Sequence, residues 1–276
     1  MALFQKIDEN GRRIVAPLTS ADIPASENYF IQERTQTAPH DTIPLHSWSA
    51  NGDEANIDAA IQPKGDGAYS LDTNGNKRGR YSIDNQRFRA TNEQVASGDY
   101  SCIEYGINNR ASAELSRAYG NNAIADIFSM NAYSNGTFSD GRLTQKFEII
   151  QKGISTKDNE IVLMFNGVNG YFPLQDNHVY SINIHVLAHR INGITEDDTA
   201  DWWVKLLVYN IGTIKQSPVI SNKAADFHIN NSLNWVITVN GDGANLTIRC
   251  KGDTNNDKYI YWTAYIDGIM QSPSET

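Results

Sequence analysis

The sequence predicts an all-β chain: an extended N-terminal segment, a short repeat region of β-roll or β-prism type, and a C-terminal antiparallel β-sandwich, jelly-roll-like in size. Three observations predict this class. Turn-forming Asn-Gly steps recur at Asn51-Gly52, Asn74-Gly75, Asn135-Gly136, Asn166-Gly167, Asn192-Gly193 and Asn240-Gly241. Asn and Gly tolerate the positive φ that tight hairpin turns need. A period of 14 marks residues 97–141, and two-residue alternation marks the stretches beyond Leu143.

Residues 1–55 show neither helical periodicity nor sustained alternation and carry Pro17, Pro24, Pro39 and Pro44. Such a segment does not make a compact core by itself. A terminus of this kind stays ordered when something ties it down, so we expect it to lie along a partner protein or a symmetry mate. Residues 56–95 read as linker-like. Their basic cluster Lys77-Arg78-Gly79-Arg80 is expected in a solvated turn or an inter-subunit salt bridge.

In the repeat, Tyr105-Gly106 recurs as Tyr119-Gly120 and Tyr133-Ser134, Ala111 as Ala125 and Ser139, and Asn108 as Asn122 and Gly136. Ser101 and Ser129 align, with Leu115 breaking the series, and Ser112, Asp126 and Asp140 form another column. A unit this short cannot fold alone. It must bury its apolar side against the next copy or against neighbouring chains. With about three copies the stack is short, so association with other copies of the chain, as a homotrimer, is expected.

Beyond Leu143 the strands lengthen. Ile182, Ile184, Val186 and Ala188 alternate with Asn183, His185, Leu187 and His189, the pattern of a half-buried strand. Leu233 to Asn240 and Ala244 to Cys250 flank Asn240-Gly241-Asp242-Gly243 and predict a hairpin. Further strands are expected near Leu143–Ile150, Glu160–Phe165, Trp202–Tyr209 and Lys258–Ile266.

The net charge of −9 argues against a general nucleic-acid binder, which needs clustered cations. No stretch approaches the roughly 18 apolar residues of a membrane span, and the N-terminus lacks a signal-peptide core, so synthesis in a cytoplasm is expected. Cys102 and Cys250 are too few for a disulfide framework and are expected as buried thiols.

No nucleophile elbow, zinc helix or phosphate loop is present in the sequence, and the Gly65/Gly67 and Gly241/Gly243 pairs lack the helix a dinucleotide site needs. His185 and His189 share a strand face, too far apart for easy joint metal binding. The carboxylates between Glu196 and Asp201 could ligate calcium or act as an acid/base pair, though such a run more often forms a solvated loop. Asp253 to Asp257 has alternating oxygens, but Lys258 stands where a calcium loop needs glycine. We therefore expect no catalytic residue, cofactor or metal. Trp202, Trp203 and Tyr209 are the candidate surface contacts, with one of the paired tryptophans facing the core.

Several stretches together resemble a known family. Asn56 to Ala68, Asn76-Lys77-Arg78-Gly79 with Ser82-Ile83-Asp84, and Gln94 to Ser101 resemble a module of phage tail-fibre and virion-appendage proteins. Gly106 to Ser112 looks like the 14-residue head repeat of trimeric autotransporter adhesins, although Glu104-Tyr105 stands where that pattern usually has glycine. Val186 to Arg190, Trp235, Asn245 to Ile248 and Tyr261 to Ala264 are similar to the β-domain that follows the module.

The resemblance implies a non-enzymatic homotrimeric head fibre or tail fibre at the virion surface. Residues 1–55 would attach it to a capsid or tail protein, residues 56–141 would form the trimeric repeat, and residues 142–276 the sandwich. Contact with a host-surface glycan is the alternative role; neither nucleic acid nor membrane insertion is expected.

Overall fold

The computed structural model describes residues 3–7, 13–17, 30–35 and 45–50 as backbone strands. It also describes residues 61, 63–156, 158–167, 170–190, 198–210, 214–216, 235–242, 245–253 and 259–272. Every regular element among them is a strand. The chain divides into two units, Met1–Gln62 and Pro63–Thr276. In the first, β1 (Leu3–Ile7) pairs antiparallel with β2 (Arg13–Pro17), and β3 (Phe30–Thr35) with β4 (Leu45–Ala50). The segment read as extended thus carries two ladders, each too short for its alternation to register in the sequence.

The second unit begins as a β-solenoid of about five turns. The strands β5 (Tyr69–Ser70), β6 (Ile83–Asp84), β7 (Cys102–Ile107), β9 (Arg117–Asn121) and β11 (Asn131–Thr137) run parallel, side by side. On another side of the coil β8 (Arg110–Ala111) pairs in parallel with β10 (Ile124–Ala125). The period of 14 is the offset between turns: Tyr119 faces Tyr133, and Ala111 faces Ala125. The linker reading of residues 56–95 is corrected here, because β5 and β6 already belong to the stack. Ile83 pairs with Cys102, 19 residues on, and this longer turn hides the repeat from a search at 14.

The alignment of Ser101 with Ser129 is also corrected. Between Cys102 and Arg117 the offset is 15, with a register shift between Ile103 and Gly106. The true column is Ser82, Ser101, Ser116 and Met130, all buried, each closing a turn by donating its amide to the residue three back. The third residue of these turns is Tyr81, Tyr100, Leu115 or Ser129, and all four sit at φ between 55° and 58°. A left-handed side chain costs roughly 1–2 kcal/mol, so the coil holds these turns against local preference.

The solenoid interior is narrow. Ala96, Ala111, Ala118, Ala123, Ala125 and Ala132 are fully buried, with Ile103 among the few larger fillers. Neighbouring turns approach so closely that a Cβ on Gly106 would lie 1.7 Å from the Gly120 carbonyl oxygen, at φ +109°. Amides lace the turns together. Asn109 donates Nδ2 to the Tyr105 and Gly120 carbonyls at 3.0 and 2.9 Å, and its Oδ1 accepts from the Ala123 amide at 2.8 Å.

Charge is buried at the first turns. Arg78 and Arg89 both reach Asp84, at 3.0 Å each, and both also hold Asp72. Arg78 is therefore no solvated turn residue, and its salt bridges lie within the chain. Arg80 pairs with Asp99 of the next turn at 2.6 Å on the surface.

The last solenoid strand hands over to antiparallel pairing. β11 pairs with β12 (Leu143–Thr156), then come β20 (Tyr259–Gln271), β15 (His178–Arg190), β16 (Asp198–Asn210) and β17 (Ile214–Gln216), all in the same ten-stranded sheet. Gln145 makes the corner: its amide accepts from the Ile124 amide at 2.9 Å and donates to the Ile124 carbonyl at 2.8 Å, so the β10 edge is satisfied.

A smaller sheet joins β13 (Glu160–Val162), β14 (Phe172–Pro173), β18 (Val236–Asp242) and β19 (Asn245–Lys251). It shares one apolar core with the long sheet, through contacts such as Trp235 with Trp262 and Phe147 with Phe172. The alternation read at Ile182 to Ala188 holds: all four apolar positions are fully buried. The predicted hairpin forms, with its turn two residues later than expected, because Asn240 and Gly241 pair with Thr247 and Leu246 inside the ladder.

Candidate functional site

Two surfaces gather chemistry: the outer face of the long sheet and a cleft beside the solenoid. Alternation along β16 sends Trp202 inward and Trp203 outward, 6% and 47% exposed. Trp202 stacks on Trp262 with ring centroids 5.7 Å apart, so it drops out of the predicted surface set. Tyr209 lies half-buried on the outer face, six residues from Trp203 along the same strand.

Trp203 is held in place by its neighbours. Its ring lies 4.0 Å from that of His185, tilted by only 8°, because the two residues face each other across the ladder. Its Nε1 donates to Asp201 Oδ2 at 3.2 Å, while Asp201 Oδ1 meets His185 Nε2. The three side chains form one fixed cluster. His189 engages Thr199 through Nδ1 at 3.3 Å, so the two histidines of this strand face have separate partners.

The outer face continues onto the solenoid. Tyr105, Tyr119 and Tyr133 form a ladder with centroids 5.7 and 5.1 Å apart, and Arg117 lies over the Tyr119 ring. On the earlier turns Tyr81 stacks on Tyr100 at 5.1 Å. Glu148, beside this region, is held below the ordinary carboxylate value chiefly by its hydrogen bond from Lys146.

The cleft has a volume of about 490 Å³. Solenoid turns contribute Glu93, Asn108, Arg110, Asn122 and Asp126, the segment before β15 contributes Gln175, and the start of β15 contributes His178. Arg110 sits between two carboxylates, 3.9 Å from Glu93 and 3.9 Å from Asp126. Gln175 Nε2 donates to Asp126 Oδ2 at 2.7 Å, while Asp126 Oδ1 and Arg110 Nε are buried without a hydrogen-bond partner. Gln175 is fixed in turn by its backbone N–H, which donates to the Tyr180 hydroxyl at 2.8 Å. Burial raises the pKa of that phenol, so it stays a neutral acceptor. A polar ligand with several hydroxyl or amide groups is what such a lining can hold.

Sequence reasoning did not find this cleft. Glu93, Arg110 and Asp126 meet because successive turns stack, and Gln175 reaches Asp126 from the segment before β15. The available signal was the column Ser112, Asp126, where a carboxylate replaces a small polar residue. The Glu196 carboxylate and the 254–258 segment lie outside the described residues; Asp253 is buried and paired with Arg190 at 2.8 Å. Cys250 is buried and Cys102 half-buried, and burial raises the pKa of both thiols. Among the described residues no group of three or more metal-ligating side chains comes together.

No protein-family model and no curated protein matches the chain. The solved structures that are similar over part of it include three tailspike proteins. The tailspike protein of Acinetobacter baumannii phage AM24 aligns with 61% of this chain and 33% of its own, at 9% identity and a TM-score of 0.23. The tailspike of Acinetobacter phage vB_ApiP_P1 aligns over 70% and 47%, at 9% identity and 0.24. A tailspike of Acinetobacter baumannii bacteriophage Fri1, a capsular polysaccharide depolymerase, aligns over 67% and 40%, at 8% identity and 0.21. The chain thus spans a third to a half of their length, and likeness at this level fixes neither fold nor function. One expectation is corrected beside them: with a depolymerase among the similar structures, the reading of this chain as a non-enzyme is withdrawn.

Proposed function

We propose that the chain is a subunit of a bacteriophage tail appendage, assembled as a homotrimeric fibre and displayed on the virion after synthesis in the host cytoplasm. The observation that carries this reading is the solenoid itself. About five turns with an alanine-lined interior leave a tyrosine ladder open on the outside. So short a coil buries little apolar area per turn, and sister chains would supply the shelter it lacks. The tail-fibre-like module and adhesin-like repeat in the sequence support the same reading. In this account residues 1–55 attach to a capsid or tail protein, 56–141 form the repeat, and 142–276 form a distal β-sandwich.

Antibody labelling of intact particles by electron microscopy tests it. Label on the tail is the expected result; particles without the chain would sink the proposal.

A second reading is favoured by the cleft: a glycan-recognising module of the same appendage. Glu93, Arg110, Asp126 and Gln175 offer donors and acceptors suited to sugar hydroxyls, and Trp203 offers an aromatic face. Incubation with host-surface polysaccharide separates its forms. Release of oligosaccharides that stops with Asp126→Asn assigns hydrolysis; retention without products assigns binding. Absence of both removes this reading.

A further inference from the structure

We infer that the outer face of the long antiparallel sheet, on β12, β20, β15 and β16, is the surface on which copies of this chain pack against one another. The inference rests on the homotrimer proposed above and names its interface.

The face carries many large apolar side chains among its polar ones. On β12 and β20 the outward positions include Ile150, Ile154, Tyr259, Tyr261, Tyr265 and Ile269, each between 37% and 59% exposed. Leu187 on β15 and Trp203 on β16 extend the same face. They lie in cross-strand rows: Trp203 faces His185, which faces Tyr265, which faces Ile150. Rows of polar residues, Lys152 with Thr263 and Glu148 with Asp267, run between the apolar ones, and large apolar side chains exposed in number on one sheet face mark an interaction site.

Its size fits a protein partner. β15, β16 and β20 are 13 residues long and β12 is 14. At about 3.4 Å per residue and about 4.8 Å between strands, four such strands present on the order of 800 Å². A standard interface buries about 800 Å² per partner.

Its charge favours a second copy as that partner. The chain carries a net charge of −9, which opposes self-association. This face escapes that repulsion: Lys146, Lys152 and Lys205 are matched by Glu148, Asp201 and Asp267. A charge-balanced face on an acidic chain is where like molecules can meet without facing like charge. The tyrosine ladder of the solenoid continues the face, since Tyr133 pairs with Lys146 across β11 and β12.

The test is the molar mass of the full chain by light scattering over a dilution series, wild type against variants. Ile154→Lys with Tyr261→Glu replaces two facing apolar side chains by an opposite-charge pair that an exposed sheet tolerates. Ile269→Asn is a second, milder variant, Tyr81→Glu on the early solenoid is the control, and circular dichroism checks that each folds. We expect the double variant to raise the dissociation constant about 100-fold or more, Ile269→Asn about 10-fold, and Tyr81→Glu little. A wild-type multimer unchanged by both face variants would overturn this interface and leave the homotrimer standing. A monomeric wild type would overturn both. Unchanged mass with loss of polysaccharide retention would assign the face to glycan and overturn the inference.

Discussion

The solenoid and the antiparallel half share one sheet yet are stabilised in different ways. In the solenoid every partner is about one turn away, 14 to 19 residues, and the filling is mostly alanine. In the antiparallel half β12 pairs with β20 across more than a hundred residues, and the core holds Trp202, Trp235 and Trp262. The first depends on close backbone approach and buried polar ladders, the second on apolar area. A substitution should therefore act by geometry in one and by volume in the other.

Four predictions follow that contrast, from the largest effect down. Trp262→Ala removes the ring on which Trp202 and Trp235 both pack, and should cost about 4 kcal/mol in urea unfolding. Gly106→Ala should cost about 3 kcal/mol although it adds one methyl, because that carbon collides with the Gly120 carbonyl and φ is +109°. A cost under about 1 kcal/mol would show that the turns can separate, and would remove the geometric half of the contrast.

Asp84→Asn leaves Arg78 and Arg89 short of one buried carboxylate and should cost about 3 kcal/mol. Leu115→Gly should have the smallest effect and the opposite sign. It relieves roughly 1–2 kcal/mol at φ +58°, offset by the greater chain entropy of glycine, for a net gain of about 0.5 kcal/mol.

Acid sharpens the same comparison. Burial pushes the Asp72 carboxyl up, but the Arg89 hydrogen bond and charge, with the Asn74 amide and Arg78, bring it below the ordinary value. Arg80 holds Asp99 low, mainly through its hydrogen bond. Groups with depressed folded pKa values give their full stabilisation above the unfolded value of about 4, and lose it as pH falls through the folded one. Melting followed by circular dichroism should thus change little from pH 8 to 5 and decline below about pH 4. Amides of the first turns should lose hydrogen-exchange protection before those of β15. A decline that begins in β15 would contradict the assignment of acid sensitivity to the solenoid.

The sequence showed what depends on local spacing. Tyr105, Tyr119 and Tyr133 could be read as one column, as could Asn108, Asn122 and Gly136, all three of which take positive φ. The column through Ser101 was misread by one residue because a single extra residue entered between Ile103 and Gly106. The first turns were missed because β5 and β6 are two residues long and their turn lengths vary. The hairpin at Asn240 shifted because a favourable turn dipeptide was drawn into the ladder. The cleft was illegible for another reason: Arg110 meets Glu93 and Asp126 only through stacking, which no spacing rule encodes.

The most direct test of the account is the solution mass of the intact chain at low micromolar concentration. Assembly predicts three times the 30.7 kDa of one copy, with the tyrosine ladder slow to react with a water-soluble phenol reagent. A single folded copy at 30.7 kDa, with Tyr105, Tyr119 and Tyr133 freely modified and the melting temperature independent of concentration, would contradict it.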